Sequence, residues 1–306
     1  MTKRQSAWID EKLLRNFGAE GTDAHRLCTA SDGWVERFGR DTLVSYQKDA
    51  TRERLMMEFF SWSKSANFRF SRIFGRLLLK QNEARETPHF LFGHSDEHLQ
   101  TVVMERELKF GIDFGTGYSV GLFFDQRENR TYVREVAPSH MLNCFAYTCS
   151  FSVAAAITGT ETVNVDLSKK SLARGCENFA LNGLPSKDHR FIADDVRPVL
   201  RRLARRGEKF DMIILDPPTF ARAPRGKAFR VGNDFEDLLL AALATAKDDA
   251  RILLSTNCAT LDEAALEGVA RYCLKKMRRA GTLHRPPRPV DFPAGTGAST
   301  VWLTLR

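Results

Sequence analysis

The chain has 306 residues, 43% of them hydrophobic and 27% charged, with a formal net charge of +8. That composition fits an ordinary globular protein and excludes a fibre, a disordered tail or a membrane span, because no stretch approaches the ~20 uninterrupted apolar residues a transmembrane helix requires. The N-terminus, MTKRQSAWIDEKLLRNF, has no apolar core followed by a small-residue cleavage site, and the six cysteines (Cys28, Cys144, Cys149, Cys176, Cys258, Cys273) form no CxxC pair and no zinc-type spacing, so reduced thiols in a cytoplasmic protein without a structural metal are expected.

Residues 1–123 read as a small α+β domain with an RNA- or substrate-positioning role. A strand pair is expected around ERFGRDTLVSYQ, a helix from about Arg52 to Lys64, and a second hairpin-like stretch from Thr101 to Phe124 that contains Gly111, Gly115, Gly117 and Gly121. His94 and His98 are four apart, but HSDEH lacks the HExxH order, and no chemistry is assigned to them. The boundary is expected near Phe124, where DQRENRTYVREV begins a helical pattern leading into a second domain, 124–306. This second part carries 28 Lys and Arg against 21 Asp and Glu, whereas the first carries 18 against 17. A basic surplus attracts polyanions through phosphate neutralisation and counterion release, or else is simply a solvated surface.

From about residue 140 onward, short β-rich apolar runs alternate with helix-length amphipathic segments. The runs are MLNCFAY, ETVNVDL, HRFIADD, FDMIILD, ARILLST and STVWLTL, with helices expected near 150–158, 168–181, 196–206, 233–247 and 261–279. Such alternation implies right-handed crossovers, a largely parallel sheet and helices on both faces, which is a doubly wound, Rossmann-like α/β fold. Ligands in these sheets bind outside the carboxyl ends of the strands, at the switch point of strand order.

The first of these strands ends in Asn143-Cys144-Phe145-Ala146-Tyr147-Thr148-Cys149-Ser150, where a doubly wound fold cradles an adenosine-containing cofactor. There is no GxGxxG, whose glycines let backbone approach a diphosphate, so NAD is disfavoured, while a cofactor without phosphates makes weaker demands. The second strand terminates in Asp166, beside Leu167, placed to accept from a ribose diol. The third ends in Asp194-Asp195, either of which can accept from an adenine amine. Each acidic residue would serve equally as a helix N-cap, but their recurrence at successive strand ends favours the ligand role. The fourth strand ends in Asp216-Pro217-Pro218-Thr219-Phe220. Two prolines there fix the backbone and remove two donors, holding the Asp216 carboxylate at the lip of the crevice for a planar base or amine. The alternative is a proline-terminated strand with a capping Asp.

Taken together, NCFAYT, VDLSKKSL, DDVRPVL, GEKFDMIILDPPTF and LLSTNC resemble the S-adenosylmethionine-dependent methyltransferases of the bacterial ribosomal large-subunit methyltransferase I type, which make 5-methylcytosine in 23S ribosomal RNA. Upstream, GLFFDQRENR is similar to the DQR-containing start of that family's catalytic domain, and DGWVERFGRDTLVSYQ to its central domain, so the likeness covers roughly residues 30–306. The resemblance implies S-adenosylmethionine as cofactor. It further implies that Asp166 binds the ribose, Asp195 the adenine amine and the Asn143–Thr148 turn, with Phe145 and Tyr147, the methionine end, where Gln126 and Arg127 assist. Two departures stand out. Cys149-Ser150 replace what are usually two glycines, and a β-carbon there would crowd the cofactor or oppose a positive φ. The family also tends to begin with an RNA-binding module of the PUA kind, for which the first ~30 residues are too few, so RNA targeting is expected to differ.

The fifth strand leads into Ser255-Thr256-Asn257-Cys258. Carbon 5 of cytosine is too weak a nucleophile to attack a sulfonium methyl unaided, and a thiolate adding to carbon 6 makes it enamine-like. A lone cysteine is ordinarily a small buried hydrophobe. At a strand end facing DPP, and at the position the resemblance assigns to the nucleophile, Cys258 is read as catalytic together with Asp216. After Pro217, Pro218 and Phe220 comes ARAPRGKAFRVGNDF, where Arg222, Arg225, Lys227 and Arg230 surround Phe229, which suits phosphate contacts and stacking on an extruded base. The Arg201-Arg202-Arg205-Arg206 and Lys275-Lys276-Arg278-Arg279 clusters read as solvated helix faces.

The expected protein is therefore a cytoplasmic enzyme that partners RNA, ribosomal RNA first, and no membrane; a homodimer is compatible with this. Two rivals stay open. One is an N-methyltransferase using the DPP motif without a cysteine. The other is a non-catalytic RNA-binding protein whose cofactor turn has decayed through Cys149-Ser150.

Overall fold

The computed structural model describes residues 6–78, 86–94, 98–221, 229–258 and 260–306. The chain divides into two units, one formed by Met1–Phe124 with Pro289–Gly295, the other by Asp125–Arg288 with Thr296–Arg306. Phe124 and the Pro289–Gly295 segment, both placed in the second domain on sequence, thus group with the first. The reason is local: Phe124 packs its ring 4.7 Å from Phe38, and the Arg26 guanidinium lies 4.0 Å over the Phe292 ring. The Arg26 N–H also donates to the Asp291 carboxylate at 2.7 Å.

In the first unit, β1 (Ala7–Trp8), α1 (Glu11–Ala19), β2 (Ala24–Ala30), β3 (Gly33–Phe38), β4 (Asp41–Tyr46), α2 (Asp49–Ser65), β5 (Arg72–Leu77) and β6 (His89–Gly93) precede a hairpin of β7 (Gln100–Glu105) and β8 (Leu108–Asp113). The six-stranded sheet runs β1 to β6 in order. β4 and β5 pair in parallel, so α2 is the crossover between them and lays Leu55 and Phe59 on Leu27, Val35, Val44 and Ile73. Gly33 marks the closest approach, because a β-carbon there would lie 2.9 Å from Leu55 and still closer to the Ser45 carbonyl. The strand pair, helix and glycine-containing hairpin expected from sequence are β3–β4, α2 and β7–β8. The expected hairpin was drawn too long, since no strand continues through Gly115, Gly117 and Gly121.

The second unit contains α3 (Arg127–Val136), β9 (His140–Cys144), α4 (Ser150–Ala156), β10 (Glu161–Asp166), α5 (Lys169–Leu181), β11 (Arg190–Ala193), α6 (Val196–Arg205), β12 (Phe210–Leu215), β13 (Phe220–Ala221), β14 (Phe229–Arg230), α7 (Val231–Leu243), β15 (Ala246–Thr256), α8 (Glu263–Lys276), β16 (Gly281–His284) and β17 (Ser299–Leu305). Its seven-stranded sheet has the order β11-β10-β9-β12-β15-β17-β16. The first five strands are parallel, as the alternating pattern required, and this is a doubly wound, Rossmann-like sheet. β17 instead runs antiparallel between β15 and β16, and β16 is a short edge strand not anticipated from sequence. The two-residue side-chain period sorts each central strand onto both faces. Leu142, Cys144, Ile213, Leu215, Ile252, Leu254, Val301 and Leu303 join the core under α6, α7 and α8. Met141, Met212, Ile214, Leu253 and Trp302 join Val133 of α3 and Phe151 and Ala155 of α4 on the other. Strand order reverses between β9 and β12, so their carboxyl ends flank the crevice where such sheets take ligands.

Candidate active site at the carboxyl ends of the strands

After β9 the chain makes a compact turn in which every second residue is left-handed: Phe145 at φ 59°, Tyr147 at 48° and Cys149 at 59°. Each such non-glycine residue costs about 1 kcal/mol, so the turn must be held from outside. It is: Ala146 N–H donates to the Val165 carbonyl (3.0 Å), Tyr147 N–H to Asp166 Oδ2 (2.9 Å), and Asn178 Nδ2 to the Thr148 carbonyl (2.8 Å). The β-carbon expected to crowd the cofactor at Cys149 is turned instead towards α5, where a β-carbon on Gly175 would stand 2.5 Å from the Cys149 sulfur. Burial pushes the Cys149 thiol well above its ordinary range, with Asp166 and Cys176 adding to the effect, so it stays protonated. Asn143 and Thr148 are buried, and Asn143 Nδ2 donates to Ser152 Oγ at 2.8 Å; Phe145 and Tyr147 are half-buried.

Asp166 closes β10 with each oxygen accepting one backbone N–H, Tyr147 on Oδ2 and Ser168 on Oδ1 (2.8 Å), which leaves lone pairs on both for a diol. Burial raises this carboxyl, and the two backbone N–H groups oppose the rise. Leu167 beside it is 39% exposed, an apolar surface at the lip that suits the face of a purine. Asp195 is the N-cap of α6, accepting from Arg197 N–H (2.9 Å) and pairing with the Arg197 guanidinium at 2.6 Å. Burial acts to raise it, but the Arg197 hydrogen bonds prevail and hold it low. Asp194 accepts the Asp195 N–H at 2.8 Å. The capping role weighed for Asp195 is thus real, and its lone pairs are more engaged than those of Asp166. The strand-end acceptors, the exposed leucine and a Cys149 side chain packed away towards α5 fit an adenosine with a short charged tail.

Asp216 lies one residue beyond the Leu215–Leu254 pair, level with Ser255 on the α3 face of the sheet. Ser255 Oγ–H donates to Asp216 Oδ1 at 2.6 Å, and Gln126 Nε2 donates to Ser255 Oγ at 2.8 Å. Gln126 Oε1 accepts from Asn129 Nδ2 (2.8 Å), and Asn129 Oδ1 accepts from the Trp302 indole (2.9 Å). Burial lifts the Asp216 carboxyl to about 6, and the Ser255 hydrogen bond restrains it; Asp125 raises it and Arg130 lowers it further down the scale of effects. Asn129 and Trp302 were not singled out from sequence. They lie 173 residues apart, and no local signal joins them. Gln126 was assigned to the methionine end, whereas here its side chain goes to Ser255; Arg127 beside it is fully buried.

Pro217 is buried, while Pro218 and Thr219 are exposed. The backbones of Phe220 and Arg230 are paired in the antiparallel β13–β14 ribbon. Arg222, Arg225 and Lys227 lie outside the described residues. Cys258 sits two residues past β15, half-buried, its N–H donating to Thr256 Oγ1 (3.1 Å) and its sulfur 3.2 Å from Thr260 Oγ1. It leans on the core beneath α7 and α8. The structure therefore brings Asp166, the 145–149 turn, Asp216 and Ser255 to one rim of the sheet, with Cys258 three residues beyond Ser255 at the same strand end.

A family model described as S-adenosylmethionine-dependent methyltransferase matches residues 66–288. Ribosomal RNA large subunit methyltransferase I of Aeromonas salmonicida is 35% identical over 208 residues, 66% of this chain and 52% of that protein. The protein of the same name from Aeromonas hydrophila is 29% identical over 289 residues, 90% of this chain and 72% of that one. The chain spans about half the length of several such relatives. Among solved structures, one described as a methyltransferase complexed with SAH superposes with a TM-score of 0.81 at 24% identity, over 97% of this chain and 79% of that chain. A methyltransferase from Agrobacterium tumefaciens gives 0.71 at 19% identity, over 92% and 90%. At these identities the structural likeness shows the fold.

Proposed function

This chain belongs to the S-adenosylmethionine-dependent methyltransferases, and from that premise we propose that it methylates carbon 5 of a cytidine in ribosomal RNA through a transient bond to Cys258. The observation that carries the proposal is a juxtaposition. β12 and β15 are parallel neighbours, so Asp216 and the stretch bearing Cys258 leave adjacent strand ends, tied by the Ser255–Asp216 hydrogen bond of 2.6 Å. The ribosomal substrate is supported by the names of the relatives above.

S-adenosylmethionine supplies an electrophilic methyl on a sulfonium. Asp166 accepts from its ribose hydroxyls, Leu167 covers the purine, Asp194 and Asp195 flank the adenine amine, and the Phe145–Thr148 turn takes the methionine end. The extruded cytosine docks against Pro217, Pro218 and Phe220, with Asp216 hydrogen-bonded to ring nitrogen 3 or the exocyclic amine. The Cys258 thiolate forms a bond to carbon 6, which moves the ring π pair towards carbon 5. Carbon 5 would take the methyl as the sulfonium–methyl bond breaks and the donor leaves as the neutral thioether, and would then lose its proton to a base. The carbon–sulfur bond breaks, the double bond is restored and the thiolate is regenerated. Arg222, Arg225, Lys227 and Arg230 supply phosphate contacts; neutralising the first three is expected to weaken RNA binding and flatten its salt dependence.

Mass spectrometry of nucleosides from total RNA, with and without the protein, tests the product. Cys258→Ala is expected to reduce 5-methylcytosine formation at least about 1,000-fold, and RNA carrying 5-fluorocytidine, which cannot release its carbon 5 substituent as a proton, is expected to trap a covalent adduct. A methylated nitrogen in the product, with most activity kept in Cys258→Ala, would replace the carbon mechanism with direct transfer. Absence of donor binding at millimolar S-adenosylmethionine, with RNA binding retained, would mark a non-catalytic RNA-binding protein.

A further inference from the structure

Five side chains from four separate segments form an unbroken hydrogen-bonded series through the α3 face of the sheet: Trp302 to Asn129 (2.9 Å), Asn129 to Gln126 (2.8 Å), Gln126 to Ser255 (2.8 Å) and Ser255 to Asp216 (2.6 Å). The direction of every bond is set by the ends. An indole N–H only donates, so Asn129 must turn its oxygen to Trp302 and its amide to Gln126. Gln126 must then accept from Asn129 and donate to Ser255, and the Ser255 hydroxyl hydrogen is left pointing at Asp216 Oδ1. The far end demands the same polarity, since a carboxylate only accepts. Neither amide can reverse without setting two donors or two acceptors against each other, which costs about 1–3 kcal/mol for a buried pair. Trp302 itself is locked: it is 1% exposed, sits among Val133, Met141, Phe151, Met212, Ile214 and Leu253, and has the Tyr132 ring 4.8 Å away.

We propose that Trp302, Asn129, Gln126 and Ser255 are positioning residues that act as a one-way relay, fixing Oδ1 of Asp216 as an acceptor and leaving Oδ2 as the only oxygen that carries its proton. Oδ1 cannot hold a proton without meeting the Ser255 hydrogen. Oδ2 therefore presents either a lone pair or an O–H, according to whether the carboxyl is ionised. An ionised Oδ2 accepts from an exocyclic amine, and a protonated one donates to an unprotonated ring nitrogen, so the relay aims one defined atom at the edge of a base. Its use in catalysis rests on the reading of Asp216 as the carboxylate that meets the base; the relay itself is a property of the protein alone. The other charged groups bearing on Asp216 are Asp125, which raises its affinity for a proton, and Arg130, which lowers it, both from the segment around the start of α3.

The test uses the full chain without donor or RNA. The carboxyl carbon of Asp216 is followed by NMR in 13C-aspartate-labelled protein, identified by its loss in Asp216→Asn. The indole N–H of Trp302 is followed in parallel, assigned from single Trp→Phe variants of the four tryptophans. In the parent protein the Trp302 indole signal is expected to move with the same midpoint as Asp216, near 6, and to stop moving in Asp216→Asn. Ser255→Ala is expected to raise the Asp216 midpoint by about one pH unit, Trp302→Phe and Asn129→Leu by roughly half a unit each, and Ser255→Thr to restore it. An indole signal that stays flat through the Asp216 titration of the parent protein overturns the relay. So does a midpoint that responds to Ser255→Ala but not to Asn129→Leu or Trp302→Phe. Failure of the cytosine reading would instead appear only in the nucleoside products and leave these titrations unchanged.

Discussion

The two faces of the seven-stranded sheet are built on opposite principles. Under α6, α7 and α8 lies a continuous apolar core, with Leu142, Ile213, Leu254, Phe235, Leu239 and Leu303 among its buried members. Under α3 and α4 a smaller apolar cluster borders the buried polar residues Asn129, Gln126, Ser255, Asn143 and Ser152. Apolar burial is non-directional and contributes roughly 25 cal/mol per Å², whereas a buried hydrogen bond nets only about 1 kcal/mol but fixes orientation. One face supplies stability and the other supplies aim. Both converge on the carboxyl ends of β12 and β15, where a strand residue of either parity is within one position of the crevice.

The sharpest way to break this contrast is at its focus. Asp216→Asn keeps the shape and the acceptor oxygen for Ser255 but removes the carboxylate; methyl transfer is expected to fall at least about 100-fold while calorimetry finds S-adenosylmethionine affinity within about twofold of the parent. A large loss of donor affinity would move Asp216 from the base to the cofactor. One step down in size, Leu254→Ala on the apolar face is expected to cost about 3 kcal/mol in urea unfolding, against about 1 kcal/mol for Ser255→Ala next to it. Comparable values would erase the distinction between the faces.

Stability against pH sharpens the contrast further. The folded Asp216 carboxyl holds its proton to about 6 against an ordinary 3.8, so its contribution is intact below about pH 4 and is lost as pH rises through 6. Asp216→Asn is therefore expected to match the parent near pH 4 and to exceed it by on the order of 2 kcal/mol at pH 7.5, read from urea midpoints. The smallest effect belongs to the turn after β9. Gly175→Ala is expected to destabilise by about 1–2 kcal/mol, because its β-carbon would meet the Cys149 sulfur, and Cys149→Gly should remove most of that penalty in the double variant. Additive changes would show that the sulfur is not the obstacle.

The parallel strands were legible in sequence as short apolar runs, and three of the five close on an acidic stop: β10 at Asp166, β11 at Asp194 and β12 at Asp216 before two prolines. β16 was not, since GTLH is brief, half-exposed and followed by RPPRP. α1 carried a readable signal in Asp10, whose side chain accepts the Leu13 N–H at 2.7 Å, ahead of Leu13, Leu14 and Phe17. The antiparallel sense of β17 had none, because a two-residue alternation is blind to direction. At the site, Asp166 and Asp216 announced themselves by their place at strand ends. The cysteine in the turn is expected to oppose a positive φ, yet Cys149 adopts one at 59°; the space that receives its sulfur comes from Gly175, 26 positions later, and only packing reveals it. The Trp302–Asn129 bond was invisible for the same reason.

The excursion of Pro289–Gly295 into the first unit has a practical corollary for anyone wishing to isolate either half. A clone ending at Phe124 would lack the Asp291 carboxylate that caps Arg26 N–H and the Phe292 ring beneath its guanidinium. A clone beginning at Asp125 would carry those residues with nothing of their own to bind. Separable pieces would need the seven-residue loop grafted onto the first and bridged by a short glycine-serine splice in the second.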